Sequence, residues 1–578
     1  MRTATGLLVL SATLLGAASA RQLARRDAPF DWSSLNSSAN LSWTPCYDAF
    51  QCARFTVPLQ YSNTSAGESQ IALIMSPSNF STGDPNYLGS ILFNPGGPGG
   101  SGVQYILEMG PYFRAIIGPQ YDLVGFDPRG VGATTPPLSV FASAAEALQF
   151  YATYPLNVND SVSSLARAYV QGGILGNLTV DRAKDVAESV GTAAVATDML
   201  QISRALGQEK VNYWGVSYGS ILGATFAAMF PQNVGRLIID GVSDSHQWYF
   251  GTQDTSSMLD TDGVVASIYA ACVAAGPSLC PIWENSTALV DARVDRALNA
   301  LRVAPQPIFN DTDPAATTFA VADYAAAFDG LFESIYFPYS EGPVAAAAIA
   351  ALEQGDGSLV YGLSTEAGLT AISQDCTGSS GPFGVGFLDI VAPVLCGDAL
   401  IDRRRSLAQA REDYAAMRNL SVFADVWYPT SIEACATWPI QAKDIFNGSF
   451  QTNTSTPILL IGNTFDPVTP IQSARNMSAG FGGSVVLQQN STGHTSLSGF
   501  STCTALAIRE YFQNGTLPAA GTVCQPDTAI FEAPNNSSAS GGVTISLRDE
   551  AALGLREAKR ALGDGTAFLK RTWFPRWA

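Results

Sequence analysis

The sequence predicts an α/β fold with a mostly parallel, eight-stranded sheet, helices on both of its faces and a large, mainly helical lid insertion. Eight short apolar runs, each typical of a strand, alternate with helical segments, and this alternation produces a parallel sheet covered on both sides. The runs lie at about 53–60, 70–76, 89–93, 121–126, 211–216, 235–240, 457–462 and 484–489. The long interval between the sixth and seventh runs predicts the lid. A hydrophobic fraction of 47% and a charged fraction of 14% allow a large core and exclude a disordered chain.

The most informative motif, G-x-S-x-G at 215–219, follows the fifth predicted strand and precedes an apolar helix. A strand that turns directly into a helix through this motif forms a tight turn that exposes the serine hydroxyl at its tip. Glycines are needed at both ends because a Cβ would clash where strand and helix approach each other. The motif therefore predicts Ser217 as a nucleophile.

The chain has only two histidines that could serve as the base for this serine. His494 follows the last predicted strand, whereas His246 follows the sixth. An α/β-hydrolase orders its catalytic residues as serine, acid and histidine, with the histidine after the last strand. This order predicts His494 as the base and leaves His246 as a structural residue at a domain junction.

The acid should follow the strand before the one that delivers the histidine. Asp466 occupies that position, directly after the apolar run that begins at Pro457. We expect its carboxylate to bind the far ring nitrogen of His494 and to stabilise the imidazolium formed during reaction. The alternative is that Asp466 is only a turn residue ahead of Pro467.

A tetrahedral intermediate also needs hydrogen-bond donors for its negative oxygen. One predicted donor is the backbone amide of Tyr218, immediately after the nucleophile. The other should come from the glycine-rich loop at 94–102, which follows the third strand and whose backbone can approach a substrate closely. A phosphate-binding loop is the competing interpretation, but the G-K-[ST] ending is missing.

Six segments give the chain a family resemblance. They are NPGGPGGSG at 94–102, YDLVGFDPRGVGATTP at 121–136, VNYWGVSYGSILGATFAAMFP at 211–231, RLIIDGVSD at 236–244, PILLIGNTFDPVTP at 457–470 and GHTSL at 493–497. The chain resembles the secreted tripeptidyl-aminopeptidase and proline-iminopeptidase branch of the α/β-hydrolases, and its C-terminal segment is similar to that of the tripeptidyl-peptidase-like members. By this similarity, Gly97 supplies the second oxyanion amide and Arg129 braces the surrounding loops.

The resemblance implies a secreted serine exopeptidase that cleaves peptides near a free amino end through an acyl-enzyme. Family members hold the substrate ammonium with acidic lid groups, and none of the candidates here lies in a matching motif. These candidates are Asp260, Asp262, Asp329, Glu333 and Glu341. A secreted esterase and a non-catalytic binding protein remain alternatives. A serine carboxypeptidase fits less well, because those enzymes place glutamate where this chain has Val216.

The N-terminus predicts export. Arg2, an apolar stretch and the small residues Ala18-Ser19-Ala20 form a secretory signal, and we expect no later membrane span. The predicted units are a signal peptide at 1–20, a short pro-segment at 21–26 if Arg25-Arg26 is processed, an α/β-hydrolase core at 40–245, a lid at 246–450, a second core part at 451–530, and a linker with a C-terminal amphipathic helix at 531–578. We therefore expect an extracellular protein.

Composition limits the partners. A net charge of −18 disfavours nucleic acid, and sixteen N-x-[ST] sequons predict N-linked glycans. Nine cysteines in an exported chain predict four disulfides and one free thiol. The predicted pairs are Cys46–Cys52, Cys272–Cys280, Cys503–Cys524 and Cys376–Cys435, which leaves Cys396 free. We expect no metal or other cofactor, and a monomer.

Overall fold

The computed structural model describes residues 30–251, 255–310, 318–364, 387–431, 433–532 and 561–562. The predicted signal peptide and pro-segment lie outside these residues, as does the C-terminal helix apart from Ala561 and Leu562. The domain boundaries given above stay predictions.

Thirteen strands form in the described residues. They are β1 (Ser37–Ser38), β2 (Thr44–Cys46), β3 (Phe50–Pro58), β4 (Glu68–Ser76), β5 (Gly89–Asn94), β6 (Tyr121–Phe126), β7 (Val211–Val216), β8 (Val234–Asp240), β9 (Gln306–Asn310), β10 (Thr318–Ala322), β11 (Leu459–Phe465), β12 (Val485–Thr492) and β13 (Val523–Cys524). The large sheet has the order β1-β3-β4-β6-β5-β7-β8-β11-β12-β13, with β2 beside β3, while β9 and β10 form a separate antiparallel pair.

The α/β-hydrolase architecture predicted for the sheet is confirmed, but its strand count is wrong. All eight predicted strands are present, and pairing is parallel from β6 through β5 to β13. The sheet has eleven strands because β1, β2 and β13 extend its edges. These strands are two or three residues long, so they contain too few side chains to produce a recognisable hydrophobic pattern.

Helices accompany this sheet throughout the described chain. They are α1 (Gly102–Ile117), α2 (Ala144–Tyr151), α3 (Ser164–Arg182), α4 (Lys184–Ala187), α5 (Thr192–Ala205), α6 (Tyr218–Met229), α7 (Ser245–Phe250), α8 (Thr261–Ala275), α9 (Thr287–Leu301), α10 (Tyr324–Ser334), α11 (Pro338–Leu352), α12 (Ser358–Gly362), α13 (Phe387–Asp398), α14 (Leu407–Arg418), α15 (Ala424–Ser431), α16 (Ile471–Gly480) and α17 (Thr502–Asn514). The lid between β8 and β11 contains α7 to α15 and the β9–β10 pair.

The central strands are buried on both faces, since consecutive residues of β5, β6 and β7 are inaccessible to solvent. Helices α1 and α17 pack against each other near β6, whereas α5 and α6 pack against each other near β7. Phe93 of β5, Phe113 of α1 and Trp214 of β7 form an aromatic cluster, with the Phe93 and Phe113 ring centroids 4.5 Å apart. This rigid core fixes the strand ends that carry the candidate site.

The position of β5 creates the crevice for that site. In the sheet, β5 has β6 on one side and β7 on the other. The strand that follows β5 in the chain therefore lies on one side of it, and the next strand of the sheet lies on the opposite side. Such a switch point opens a crevice beyond the carboxyl ends of the strands. Asn94 at the end of β5 pairs with Gly215 near the end of β7. The glycine-rich loop and the serine turn therefore meet.

Four disulfides lie in the described residues, and one differs from prediction. Cys46–Cys52, Cys272–Cys280 and Cys503–Cys524 are present as predicted. Cys435 pairs with Cys396, not with Cys376, and the two Cα atoms are 5.2 Å apart. The prediction that Cys396 is free is therefore wrong; sequence spacing alone does not show that the end of α13 meets the turn at 433–436. Cys376 lies outside the described residues.

One helical stretch in the described part of the chain, Thr255–Ala275, is long and apolar enough to cross a membrane by length and composition alone. It contacts the strand ends of the large sheet. Thr261 donates its hydroxyl to the carbonyl of Pro467 at 2.7 Å, and the Ser267 and Thr492 hydroxyls are also 2.7 Å apart. These polar contacts attach the stretch to the loop after β11 and to the last residue of β12.

Candidate active site

Ser217 lies between β7 and α6 in a strained backbone conformation. Its φ of 58° and ψ of −125° are unfavourable for a residue with a Cβ, and such strain is concentrated at functional sites. The Ser217 amide donates to the carbonyl of Asp240 at 3.0 Å, and the Ser217 carbonyl accepts from the Ser220 amide at 2.7 Å. The side chain is only partly buried, as a nucleophile requires.

The two glycines of the motif lie where the prediction requires small residues. A Cβ on Gly215 would lie 2.2 Å from the Tyr213 hydroxyl oxygen and 2.4 Å from the Gly219 carbonyl oxygen. A Cβ on Gly219 would lie 2.9 Å from the carbonyl oxygen of Asn94. Real Cβ atoms do not approach backbone atoms this closely, so only glycine permits the turn.

The glycine-rich loop, Asn94–Gly102, lies against this turn. A Cβ on Gly96 would come within 2.8 Å of the Ser217 Cβ and 3.2 Å of the Tyr218 amide nitrogen. Gly96 and Gly97 have φ values of 90° and 109°, which favour glycine. The loop thus places Gly96 beside the Tyr218 amide nitrogen, which is one of the two predicted oxyanion donors.

Asp127, at the end of β6, anchors the other end of this loop. Its carboxylate accepts hydrogen bonds from the Ser101 hydroxyl at 2.6 Å, the Val103 amide at 3.0 Å and the Ala133 amide at 2.8 Å. Burial raises the pKa of Asp127, while these hydrogen bonds lower it. Because Ser101 caps α1, the start of the helix is fixed directly behind the glycines.

Asp466 and His494 are in direct contact. His494 Nδ1 lies 2.9 Å from Asp466 Oδ1 and 3.0 Å from Oδ2, and both residues are fully buried. The Thr469 hydroxyl lies 3.1 Å from the same nitrogen. Since Nδ1 faces the carboxylate, Nε2 lies on the opposite side of the ring, as a proton acceptor for a serine requires.

Asp466 also organises its own loop. Its Oδ1 accepts from the amides of Val468 at 3.0 Å and Thr469 at 2.9 Å, and its Oδ2 accepts from the amide of Thr495 at 2.8 Å. The two interpretations of Asp466 are therefore compatible, because one carboxylate shapes the turn and contacts the imidazole.

Two residues that sequence reasoning missed support the histidine loop, defined as residues 493–496. Asn463 Nδ2 donates to the carbonyls of Gly493 at 2.7 Å and Thr495 at 2.6 Å. Asp240 accepts hydrogen bonds from the amide and hydroxyl of Ser496. The only sequence signal was their place at the carboxyl ends of β11 and β8, where ligand crevices form.

The remaining predicted residues lie in supporting positions. The His246 ring packs edge-on against Phe450, with ring centroids 5.2 Å apart, and the imidazole that contacts Asp466 is that of His494. Arg129 is fully buried; its Nε donates to Asp198 Oδ2 at 2.6 Å, and another guanidinium nitrogen donates to the Pro58 carbonyl at 2.8 Å. Arg129 thus ties the loop after β6 to β3 and α5.

The lid covers the histidine. The Tyr336 carbonyl, just after α10, accepts from the His494 amide at 2.8 Å, and the Tyr336 and His494 ring centroids are 5.1 Å apart. Burial raises the pKa of Tyr336, and the charges of Asp466 and Glu333 raise it further. Glu333 of α10 is fully buried, and its charge is one of the causes that raise the pKa of Tyr336.

The other lid acids occupy different environments. Asp329 is also buried on α10, and Asp262 accepts from the Ser421 hydroxyl at 2.6 Å. Glu341 lies in the first turn of α11. Burial raises the pKa of Asp260 to about 6, and the charge of Asp466 adds to the shift. Two of these acids interact electrostatically with residues at the candidate site. The charge of Asp466 raises the pKa of Asp260, and the charge of Glu333 raises the pKa of Tyr336.

A second lid contact reaches the serine turn. Asp398, at the end of α13, accepts from the Thr192 amide at 2.9 Å and from Trp248 Nε1 at 2.9 Å. The Thr192 hydroxyl lies 2.7 Å from the Tyr218 hydroxyl. Burial raises the pKa of Asp398 to about 6 against the opposing hydrogen bonds. The residue after the nucleophile is therefore connected to the lid through Thr192.

Within the described ranges, no three His, Cys, Asp or Glu side chains are grouped so that they could hold a metal ion. The geometry provides a partly exposed serine on a strained turn, a buried acid–imidazole pair and a glycine-rich loop that lies against the serine turn. These are the components of nucleophilic acyl transfer.

Comparison with known proteins agrees with this chemistry. Residues 89–266, which contain the glycine-rich loop and Ser217, match the family model for the alpha/beta hydrolase fold. Residues 420–524, which contain Asp466 and His494, match the model for TAP-like proteins. Both halves of the site thus lie within matched segments.

Curated relatives match over most of the chain. Serine protease Hip1 of Mycobacterium tuberculosis (strain ATCC 25618 / H37Rv) is 25% identical over 511 residues, which cover 84% of this chain and 91% of that protein. Tripeptidyl aminopeptidase of Streptomyces lividans is 25% identical over 529 residues, covering 88% and 89%. Carboxylesterase B of Mycobacterium tuberculosis (strain CDC 1551) is 27% identical over 504 residues, covering 84% and 90%. The chain has the α/β hydrolase fold and a TAP-like C-terminal segment, and it is similar to these serine protease, tripeptidyl aminopeptidase and carboxylesterase relatives.

Proposed function

We propose that this hydrolase is a secreted serine exopeptidase that cleaves peptide bonds near a free amino terminus. The observation that carries the proposal is the buried Asp466–His494 pair, whose loop is linked to the Ser217 turn by the hydrogen bonds of Asp240 with Ser217 and Ser496. Similarity to tripeptidyl aminopeptidase over 88% of the chain supports a peptide substrate.

In this mechanism Ser217 attacks the peptide carbonyl while His494 accepts the hydroxyl proton at Nε2. Asp466 fixes the orientation of the imidazole and stabilises its protonated form. The amides of Gly97 and Tyr218 bind the oxyanion of the tetrahedral intermediate. When the C–N bond breaks, His494 gives the proton to the leaving amine, and water then hydrolyses the acyl-enzyme by the same route.

The proposed amino-end specificity depends on the lid. Glu333 is fully buried on α10, and its charge is coupled to Tyr336, which packs on His494. Burial disfavours a charged carboxyl group, and pairing with a substrate ammonium would offset that cost in the low-dielectric interior. We therefore select Glu333 among the five lid acids as the proposed partner of the amino end.

An esterase is the second candidate, favoured by the similarity to carboxylesterase B. The same serine, imidazole and amides would act on an ester, and no lid carboxylate would be required for binding. The two candidates therefore differ in their dependence on a free ammonium.

The test uses the purified full-length secreted protein with three chromogenic substrates: a tripeptide anilide with a free amino end, its N-acetylated copy, and a p-nitrophenyl ester. We expect cleavage of the free peptide and rejection of the acetylated copy. Equal cleavage of both peptides would contradict amino-end specificity, and cleavage of the ester alone would establish the second candidate.

Single substitutions test the role proposed for each residue. Ser217→Ala and His494→Ala should each abolish turnover, whereas His246→Ala, the matched histidine control, should retain it. Glu333→Gln should raise KM for the free peptide about 10- to 100-fold, since a charged hydrogen bond is lost, and leave ester hydrolysis unchanged. Glu341→Gln on the next helix is its control. An unchanged peptide KM in Glu333→Gln would reject Glu333 as the ammonium partner.

Export is part of the proposal and has its own test. The four disulfides are compatible with an oxidising compartment. N-terminal sequencing of protein from the culture medium should show a chain that begins at Arg21, or at Asp27 if the Arg25-Arg26 pair is processed. Retention of the activity inside cells with Met1 in place would contradict secretion.

A further inference from the structure

Asp240, the last residue of β8, contacts two of the loops that form the candidate site. Its backbone carbonyl accepts from the Ser217 amide at 3.0 Å. Its carboxylate accepts from the Ser496 amide at 2.8 Å and from the Ser496 hydroxyl. One buried residue therefore connects the serine turn to the histidine loop.

The next residue, Gly241, brings in the acid loop. A Cβ on Gly241 would lie 2.5 Å from Thr495 Cγ2 and 3.1 Å from the Thr469 hydroxyl oxygen. The Gly241 amide also donates to the Ile461 carbonyl of β11 at 3.0 Å. Because no side chain separates them, the loops that carry Asp466 and His494 pack directly on the end of β8.

The histidine loop needs such support because Thr495 is strained. Its φ is 62°, a conformation that a β-branched residue rarely adopts. Strain of this kind persists only when neighbouring groups fix the backbone on both sides. Asn463 and Asp466 hold Gly493 and Thr495, and Asp240 supplies the two hydrogen bonds that hold Ser496. Asp240 therefore fixes the side of the loop that follows His494.

Asp240 and His494 also affect each other electrostatically. It is fully buried, and the titratable groups coupled to it are His494 and, from α1, Tyr105 and Tyr112. Burial raises the pKa of Asp240 to about 6, while the Ser496 hydrogen bonds and the charge of His494 lower it. Above that pH the carboxylate is ionised, and in a low-dielectric interior it stabilises a nearby imidazolium.

We propose that Asp240 is a second acid of this site, a positioning residue that holds His494 against the Ser217 turn through Ser496 and stabilises protonated His494 through space. This role rests on the proposed function, in which Ser217 is the nucleophile and His494 the base. Asp466 orients Nδ1 directly, and Asp240 fixes the loop from the opposite end.

The test compares Asp240→Asn with wild type by measuring kcat and KM on the cleaved substrate across the pH range. The amide keeps an oxygen for Ser496 but removes the charge. We expect kcat to fall about 10- to 100-fold, because the variant no longer stabilises the positive charge that forms on the base during reaction. KM should stay within about twofold of the wild-type value. The acidic limb of kcat/KM should move to lower pH, because the substitution removes a negative charge that favours a positive group in the site.

The Ser496→Ala variant distinguishes the positioning role of Asp240 from the effect of its charge. It removes the hydroxyl donor and keeps the carboxylate, so kcat should fall less than in Asp240→Asn and the acidic limb should stay in place. Ser491→Ala is the matched control, since its hydroxyl accepts from Gln489 at 2.9 Å in the same loop region without contacting Asp240. If Asp240→Asn does not fold, wild-type kcat in Ser496→Ala still rejects the positioning role.

The outcomes distinguish this inference from the proposed function. Loss of turnover in Ser217→Ala together with an unmoved acidic limb in Asp240→Asn rejects the role of Asp240 and leaves the serine mechanism standing. Full turnover in Ser217→Ala rejects both. The role of Asp240 as a second acid is supported if Asp240→Asn lowers kcat and shifts the acidic limb of kcat/KM while Ser496→Ala leaves that limb in place.

Discussion

Gly96 lies directly against Ser217: a Cβ on Gly96 would come within 2.8 Å of the Ser217 Cβ and 2.5 Å of the Val216 carbonyl oxygen. The contact follows from the pairing of β5 with β7, which brings the end of one strand beside the other. Asn94 Oδ1 accepts from the Gly96 amide at 3.0 Å and fixes the loop in this position. The spacing between nucleophile and glycine-rich loop is therefore set by backbone atoms.

We predict that Gly96→Ala lowers kcat about 10²- to 10³-fold, the usual cost of losing one oxyanion donor. The added methyl cannot fit, so the loop must move away from the Tyr218 amide. Steady-state kinetics on the cleaved substrate measures the effect. Gly83→Ala is the control, because its Cβ would meet nothing within 4 Å. Wild-type kcat in Gly96→Ala would show that this loop does not bind the oxyanion.

Asn463→Leu should impair both stability and activity. The buried Asn463 amide donates to two carbonyls of the histidine loop, and leucine would leave these acceptors buried without their donor. We expect the free energy of unfolding to fall by about 2–4 kcal/mol, measured by urea denaturation, together with kcat. The control, Asn86→Ala on the surface, should change stability by less than about 0.5 kcal/mol. Unchanged kcat in Asn463→Leu would mean that the loop keeps its shape without this residue.

The central strands could be predicted because burial on both faces produces continuous apolar runs, as in Leu459–Ile461. The edge strand β13 could not, because Val523–Cys524 contains only one exposed and one buried residue. The Cys396–Cys435 bridge was missed for a similar reason. Its partners lie on lid segments whose mutual packing leaves no local pattern in the sequence.

The residues of the candidate site also divide into those that the sequence predicts and those that it does not. The contact between Asp466 and His494 could be predicted because a fixed chain order identifies the two residues, and the strained turn at Ser217 because a motif identifies it. Asp240 and Asn463 could not, since a polar residue at a strand end looks the same whether it faces solvent or supports a loop. What distinguishes them is a tertiary contact with residues far along the chain, such as the bond from Asp240 to Ser496.

The disulfide pattern predicts a single free thiol at Cys376. Eight of the nine cysteines are used by the four bridges, which leaves 9 − 8 = 1. Alkylation of the denatured, unreduced protein followed by peptide mapping should label Cys376 alone and recover a peptide pair linked through Cys396 and Cys435. A peptide pair linked through Cys376 and Cys435 would contradict the pairing in the structure.

Stability should decrease as the pH rises from about 4 to about 6. Burial raises the pKa of Asp398 to about 6, whereas an unfolded aspartate titrates near 3.9. The folded chain therefore binds this proton more tightly, and that stabilisation is complete below the unfolded pKa and lost as pH rises through the folded pKa. The contribution is on the order of 1–3 kcal/mol, and thermal unfolding at a series of pH values measures it.

Asp398→Asn should weaken this pH dependence, because the amide cannot ionise. Its one oxygen can still accept from Trp248 Nε1 and the Thr192 hydroxyl, which share Asp398 Oδ2, whereas the Thr192 amide loses its acceptor. Asp402→Asn is the control a few residues away. The hydrogen bonds from Arg404 lower the pKa of Asp402 to about 2, so it stays ionised in the folded protein across the tested range. If the two variants showed the same pH dependence as wild type, the buried Asp398 carboxyl would not be the group that titrates. The other acids whose pKa burial raises to about 6, Asp240 and Asp260, would then be the next to test.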